Sequence, residues 1–81
     1  MLELKVISPE KILFSGEVEN VTVPGENGEF EILSNHAPII STLKLGIVSY
    51  TTIDKEKKTV NILGGFAEVQ KNKVNICVET P

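Results

Sequence analysis

Few side chains in this sequence could carry chemistry. His36 is the only histidine, the one residue type that ordinarily titrates between pH 5 and 8. A histidine base needs a nucleophile and an orienting partner within hydrogen-bond reach. Its sequence neighbours offer only Ser34 and Asn35. A loop histidine that bonds backbone, or packs against a partner, fits that setting better than a catalytic one. Glu26, Glu29 and Glu31 gather around one turn. Paired carboxylates do acid–base work or hold a hard cation. The stretch lacks the Asp/Asn spacing of a calcium loop. Alternation along a strand sends Glu29 and Glu31 to one face, away from Phe30 and Ile32. A solvated acidic rim, or a docking point for a basic loop, follows.

The other motifs are plainer. No helix start and no Lys-Ser/Thr pair follows Gly64-Gly65, so it reads as a bend or close backbone approach rather than a phosphate cradle. Lys55, Lys57 and Lys58 around Glu56 read as a solvated hairpin tip that discourages edge pairing. Nothing beside Cys77 marks an activated thiolate. One Cys with one His builds neither an internal disulfide nor a structural zinc site. Asn20-Val21-Thr22 matches a glycosylation sequon, but the first residues lack the features of a signal peptide. No catalytic, cofactor or metal residues are expected.

The elements that must position these residues are short. At 81 residues and 8.9 kDa, the expectation is one domain over residues 1–81. Eight Lys, no Arg and eleven acidic residues give a net charge of −3. With one Tyr and three Phe, that composition argues against nucleic acid, which needs basic phosphate contacts and aromatic stacking. No apolar run approaches the length of a bilayer span, so no lipid insertion is expected. The cytoplasm is the simplest compartment.

Periodicity points to strands nearly throughout. Leu2, Leu4 and Val6 alternate with Glu3 and Lys5, and Val74, Ile76 and Val78 alternate with Asn75 and Cys77. Ser15-Gly16 reads as an interruption, a bulge or bend. Pro24 to Gly28 reads as a turn, since Asn-Gly is favoured where successive residues need positive φ. Ser34 to Pro38 reads as a loop, and Asp54 to Lys58 and Gln70 to Lys73 as hairpin tips. About nine or ten short strands predict an all-β antiparallel sandwich or flattened barrel. A core this small supplies roughly 3–5 kcal/mol, so association with a partner would help.

The run from Val23 to Ile40, Val-Pro-Gly-Glu-Asn-Gly-Glu-Phe-Glu-Ile-Leu-Ser-Asn-His-Ala-Pro-Ile-Ile, resembles the signature of the epsilon subunit of F-type ATP synthase. Ser8-Pro9-Glu10-Lys11 with Phe14-Ser15-Gly16 is similar to that family's opening hairpin. Lys44-Leu45-Gly46 and Gly64 to Val69 resemble its Lys-Pro-Gly turn and Gly-Gly-x-x-Glu-Val strand. Glu31 stands where the family usually has Gly, and Ser34 where it often has Pro. The resemblance runs along the whole chain.

It implies a ten-stranded flattened β-sandwich, without an active site of its own, in the rotor. Such a domain couples the gamma subunit to the polar loops of the c-ring during proton-driven ATP synthesis, peripherally on the cytoplasmic face of the bacterial inner membrane. Glu29, with Glu26 and Glu31, would face the c-ring loops, which carry Arg in the family. Ser8, His36, Ala37, Thr42 and Leu43 would face gamma. The family's C-terminal helical hairpin, which can inhibit hydrolysis, is expected to be lacking. Two other readings stay open. One is a stand-alone β-sandwich adaptor. The other is a small enzyme using His36 with Glu29 or Glu31, which would gather those side chains in a pocket.

Overall fold

Alternating apolar residues can bury one side of a strand only if a second layer covers it. The computed structural model, which describes Met1–Pro81, meets that need with eight strands and no helix. They are β1 (Leu2–Ile7), β2 (Ile12–Gly25), β3 (Gly28–Ile32), β4 (Ile39–Leu43), β5 (Gly46–Thr52), β6 (Lys57–Ile62), β7 (Gly64–Gln70) and β8 (Lys73–Glu79). The hydrogen-bonded order is β1-β8-β7-β4-β2-β5-β6. In addition β3 pairs with β2, and β1 returns to β2. The first layer holds β4, β7, β8, β1 and the N-terminal half of β2; the second holds β3, the C-terminal half of β2, β5 and β6.

The all-β expectation holds, with fewer elements than the nine or ten anticipated. Ile12–Phe14 and Val18–Val23 are one 14-residue strand, β2, which passes from one layer to the other. Ser15-Gly16 does not interrupt it. Ser15 pairs with Lys5 and Gly16 with Leu4 in regular register. The irregularities fall elsewhere. Val6 faces Phe14 and Ile7 faces Ile12, so Leu13 is the extra residue. Val18 faces Thr52 and Asn20 faces Thr51, so Glu19 is the second. Bulges sharpen local twist, which lets one strand serve two sheets. The hairpin tip also shifts: β6 begins at Lys57, leaving residues 53–56 as the connection. All pairings are antiparallel except β1 with β8. Those two strands lie at opposite ends of the chain, which supplies the long connection a parallel pair requires.

The core is the inward set of both layers. Leu2, Leu4, Val6, Val74, Ile76 and Val78 face Val21, Val23, Ile32, Val48, Tyr50 and Ile62, all buried. Each such Val, Leu or Ile contributes about 1.5–3 kcal/mol relative to exposure. Phe14 of the first layer and Tyr50 of the second meet inside, with ring centroids 4.5 Å apart at 44°. Burial pushes the Tyr50 phenol above its ordinary 10.0. Gly65 sits where β7 is pressed between β4 and β8. A Cβ there would lie 2.1 Å from the Cys77 carbonyl oxygen, and φ is +152°. The Gly64-Gly65 motif is thus a close backbone approach at its second residue.

Candidate functional site

Cross-strand register brings separate residues into rows on the outer face of the first layer. Thr42 pairs with Phe66, Phe66 with Cys77, Cys77 with Ile7, and Ile7 with Ile12. Phe66 is 48% exposed and Ile12 60%. This row is apolar across most of its width. The next row, Ile40–Glu68–Asn75–Lys5–Ser15, is polar except for Ile40. Ile40 is 75% exposed, the most of any large apolar residue here. Ser8, half-buried, continues β1 beyond Ile7. Its hydroxyl donates to the Lys11 carbonyl and accepts from the Lys11 N–H, both at 3.3 Å. An open cleft of about 380 Å³ runs over Ile7, Ser8, Phe66 and Cys77.

The residues that the resemblance assigns to gamma divide over this face. The exposed Thr42 ends the apolar row, and Ser8 lies one residue beyond its Ile7. His36 and the exposed Ala37 lie at the start of β4, at the other end of that strand. His36 Nδ1 lies 2.8 Å from the Ala37 carbonyl oxygen, the backbone partner anticipated for a loop histidine. Leu43 requires a correction. It is 3% exposed and belongs to the core, because alternation in β4 turns Thr42 outward and Leu43 inward. Its side chain is not available to a partner.

The acidic residues form a rim at the Thr42 end. Glu26 and Asn27 make the tight β2–β3 turn. Of the residues from Pro24 to Gly28, only Gly28 has positive φ, so the Asn-Gly pair does not adopt the double positive-φ turn expected of it. Gly25 has no room for a side chain: a Cβ would lie 2.7 Å from the Gly28 carbonyl oxygen and 2.8 Å from the Phe30 ring. Glu29 and Glu31 point outward from β3 while Ile32 is buried and Phe30 packs against the core. The Glu26 N–H donates to the Thr42 carbonyl at 2.9 Å. Glu26, Glu29, Phe30, Ile40 and Thr42 line one open cleft of about 540 Å³. Glu31 lies outside it, opposite Thr22 on the second layer.

The geometry does not bring His36 together with the carboxylates. His36 lines none of the four surface clefts. No group of three or more His, Cys, Asp or Glu side chains is placed to hold a metal ion. No helix is long and apolar enough to cross a membrane. Sequence reasoning missed Phe66, Ile40, Ile7 and Ile12 as surface features. For Phe66 a signal existed, because it occupies the outward phase of a strand whose inward phase is Ala67 and Val69.

Comparison with known proteins adds to this geometry. The family model described as the β-sandwich domain of the ATP synthase delta/epsilon chain matches residues 1–81. The ATP synthase epsilon chain of Leptospira borgpetersenii is 46% identical over 78 residues, 96% of this chain and 61% of its own length. That of Chlorobaculum tepidum is 42% identical over 76 residues, 94% of this chain and 86% of its own. This chain thus spans about three fifths of the leptospiral relative. Among solved structures, a chain of the Euglena gracilis mitochondrial ATP synthase (OSCP, F1 and c-ring) superimposes with a TM-score of 0.89 at 25% identity. The superposition covers 95% of this chain and 49% of that one. A chain from the central stalk and c-ring of the Tetrahymena thermophila enzyme shares the fold, with a TM-score of 0.81 at 15% identity, over 96% of this chain and 63% of that one.

Proposed function

This chain belongs to the ATP synthase delta/epsilon chain β-sandwich family, and we propose that it is a non-catalytic rotor subunit joining gamma to the c-ring. The observation that carries the reading is the match along all 81 residues, together with the fold shared with a chain of an F1/c-ring assembly. The surface is compatible with two partners. The apolar row through Phe66 offers the desolvated centre that a stable protein contact needs. Thr42 ends it, Ser8 lies one residue beyond Ile7, and His36 and Ala37 lie apart from it, at the other end of β4. Glu26 and Glu29 form a rim suited to basic loops, with Glu31 beside it. In this role the domain works peripherally, on the cytoplasmic face of the bacterial inner membrane.

The mechanism is mechanical. A rotor clamp must transmit torque without yielding. Here 41 of 49 backbone hydrogen bonds lie in strand ladders, and β2 belongs to both layers. Shear of one layer against the other would have to break β2 or unpack the Phe14–Tyr50 contact. Close packing resists such sliding.

The test is titration calorimetry of this chain with the cognate gamma subunit, beside Glu29→Lys. One-to-one binding that survives Glu29→Lys, with weakened association of the gamma complex with c-ring vesicles, is the expected result. Absence of gamma binding would overturn the rotor reading and favour the stand-alone adaptor.

A further inference from the structure

A loop without a ladder of its own must be held by other contacts. Residues 33–38 connect β3 to β4 and carry His36 and Ala37. Two local contacts shape the loop. The His36 N–H donates to the Leu33 carbonyl at 3.2 Å, and His36 Nδ1 meets the Ala37 carbonyl oxygen. Neither fixes the loop against the sheets. The only hydrogen bonds from these residues to another element go to Asn72, 37 positions away. The Asn35 N–H donates to Asn72 Oδ1 at 2.6 Å. Asn72 Nδ2 donates in turn to Asn35 Oδ1 at 3.3 Å. The backbone donor sets the Asn72 amide orientation, because only its oxygen can accept.

Both residues adopt left-handed backbone, Asn35 at φ 64° and Asn72 at φ 62°. Asn tolerates that region better than most residues with a side chain. Asn72 is itself anchored. It ends the β7–β8 turn, and its carbonyl accepts the Glu3 N–H at 2.9 Å. The loop is therefore referenced to β1 and to the β7–β8 hairpin, which belong to the first layer. We infer that Asn35 and Asn72 form an amide latch that positions the loop bearing His36 and Ala37 for partner docking. The positioning role rests on the gamma reading above; the latch as a structural device does not. Asn72 acts through the loop and need not touch the partner. A loop ordered before contact loses less conformational entropy on binding.

Two variants test this. Asn72→Gly keeps the left-handed turn and removes the amide. Asn72→Asp keeps an oxygen acceptor for the Asn35 N–H and loses the donor. Amide hydrogen exchange followed by NMR reads the latch directly. In Asn72→Gly the Asn35 amide should exchange about tenfold faster, the loss expected of one hydrogen bond. The Glu3 amide, bonded to the backbone carbonyl of residue 72, should keep its protection. Asn72→Asp should restore most of the Asn35 protection. Gamma titration then reads the positioning. Affinity should fall several-fold in Asn72→Gly and return towards wild type in Asn72→Asp. Unchanged Asn35 exchange in Asn72→Gly would overturn the latch, and lost protection with unchanged gamma affinity would overturn the positioning. If Asn72→Gly also loosens Glu3, Asn72→Asp alone decides: restored Asn35 protection upholds the latch, and lost protection sinks it. A wild-type chain that does not bind gamma would remove the positioning role with the functional reading, while exchange would still decide the latch.

Discussion

The two layers share one backbone pattern and present opposite outer faces. On the first, register lines up Thr42, Phe66, Cys77, Ile7 and Ile12. On the second it lines up Glu31, Thr22, Ser49 and Thr59. Every residue of the second row can bond water. Most of the first cannot. The first layer alone holds a parallel pair, β1 with β8, but inward packing is alike in both layers and gives no reason for the outer rows to differ. An exposed apolar row costs solubility and invites association. The second layer also exposes Ile47, but there it pairs with Asn61. The first layer sets Phe66, Cys77, Ile7 and Ile12 side by side, and the rotor reading rests its gamma contact on that row.

The sharpest way to break that comparison is to damage the first layer from within. Gly65→Ala would drive a methyl group into the Cys77 carbonyl at a strained φ, so unfolding stability should drop by about 3 kcal/mol or more. Urea denaturation measures it, and a loss under 1 kcal/mol would mean that β7 and β8 separate easily. Next in size is the outer row itself. Phe66→Asp should cost about 2 kcal/mol of gamma binding, as expected of an aromatic anchor. Its effect on stability should be about 1 kcal/mol, because Phe66 is only 48% exposed and Asp suits a paired strand less well than Phe. Thr59→Asp on the hydroxyl row should leave gamma binding unchanged. Reversed results for the pair would exchange the roles of the two faces.

A third prediction concerns the seam between layers. Burial raises the Tyr50 phenol above 10.0. The folded state therefore holds its proton more tightly than the unfolded chain does. The resulting stability is fully present below the unfolded value, and is lost as pH rises through the folded one. Melting temperature should fall more steeply above about pH 10 in wild type than in Tyr50→Phe; parallel curves would contradict it. The smallest effect belongs to the tip of the second layer. Lys55 pairs with Glu19 on the β2 bulge, but its side chain is 76% exposed. Glu19→Gln should change stability by less than about 0.5 kcal/mol. A larger loss in chemical denaturation would give that ion pair a part in holding the bulge.

Much of the fold was legible because strand alternation is a local signal. The inward phases of β1 and β8 match the alternation of Leu2, Leu4, Val6, Val74, Ile76 and Val78. The loop over residues 34–38 and the outward direction of Glu29 and Glu31 were legible for the same reason. Gly16 misled, because a glycine in a strand suggests a break, whereas here it sits in register opposite Leu4 beside the Phe14 ring. The real bulges at Leu13 and Glu19 carry no special residue type. Leu43 misled because its neighbours in sequence face outward, and only the phase of β4 assigns it to the core.

By itself, the sequence determined the all-β class, the inward phase of most strands and the acidic character of one turn. These follow from residue type and spacing within a few positions. The tertiary structure alone decided what is brought together from afar. It set Phe66 beside Cys77 and Ile7, closed β1 onto β8, pressed Gly65 against the Cys77 carbonyl, and joined Asn35 to Asn72. Each of these depends on strand register, which is a property of paired segments and is written in neither segment alone.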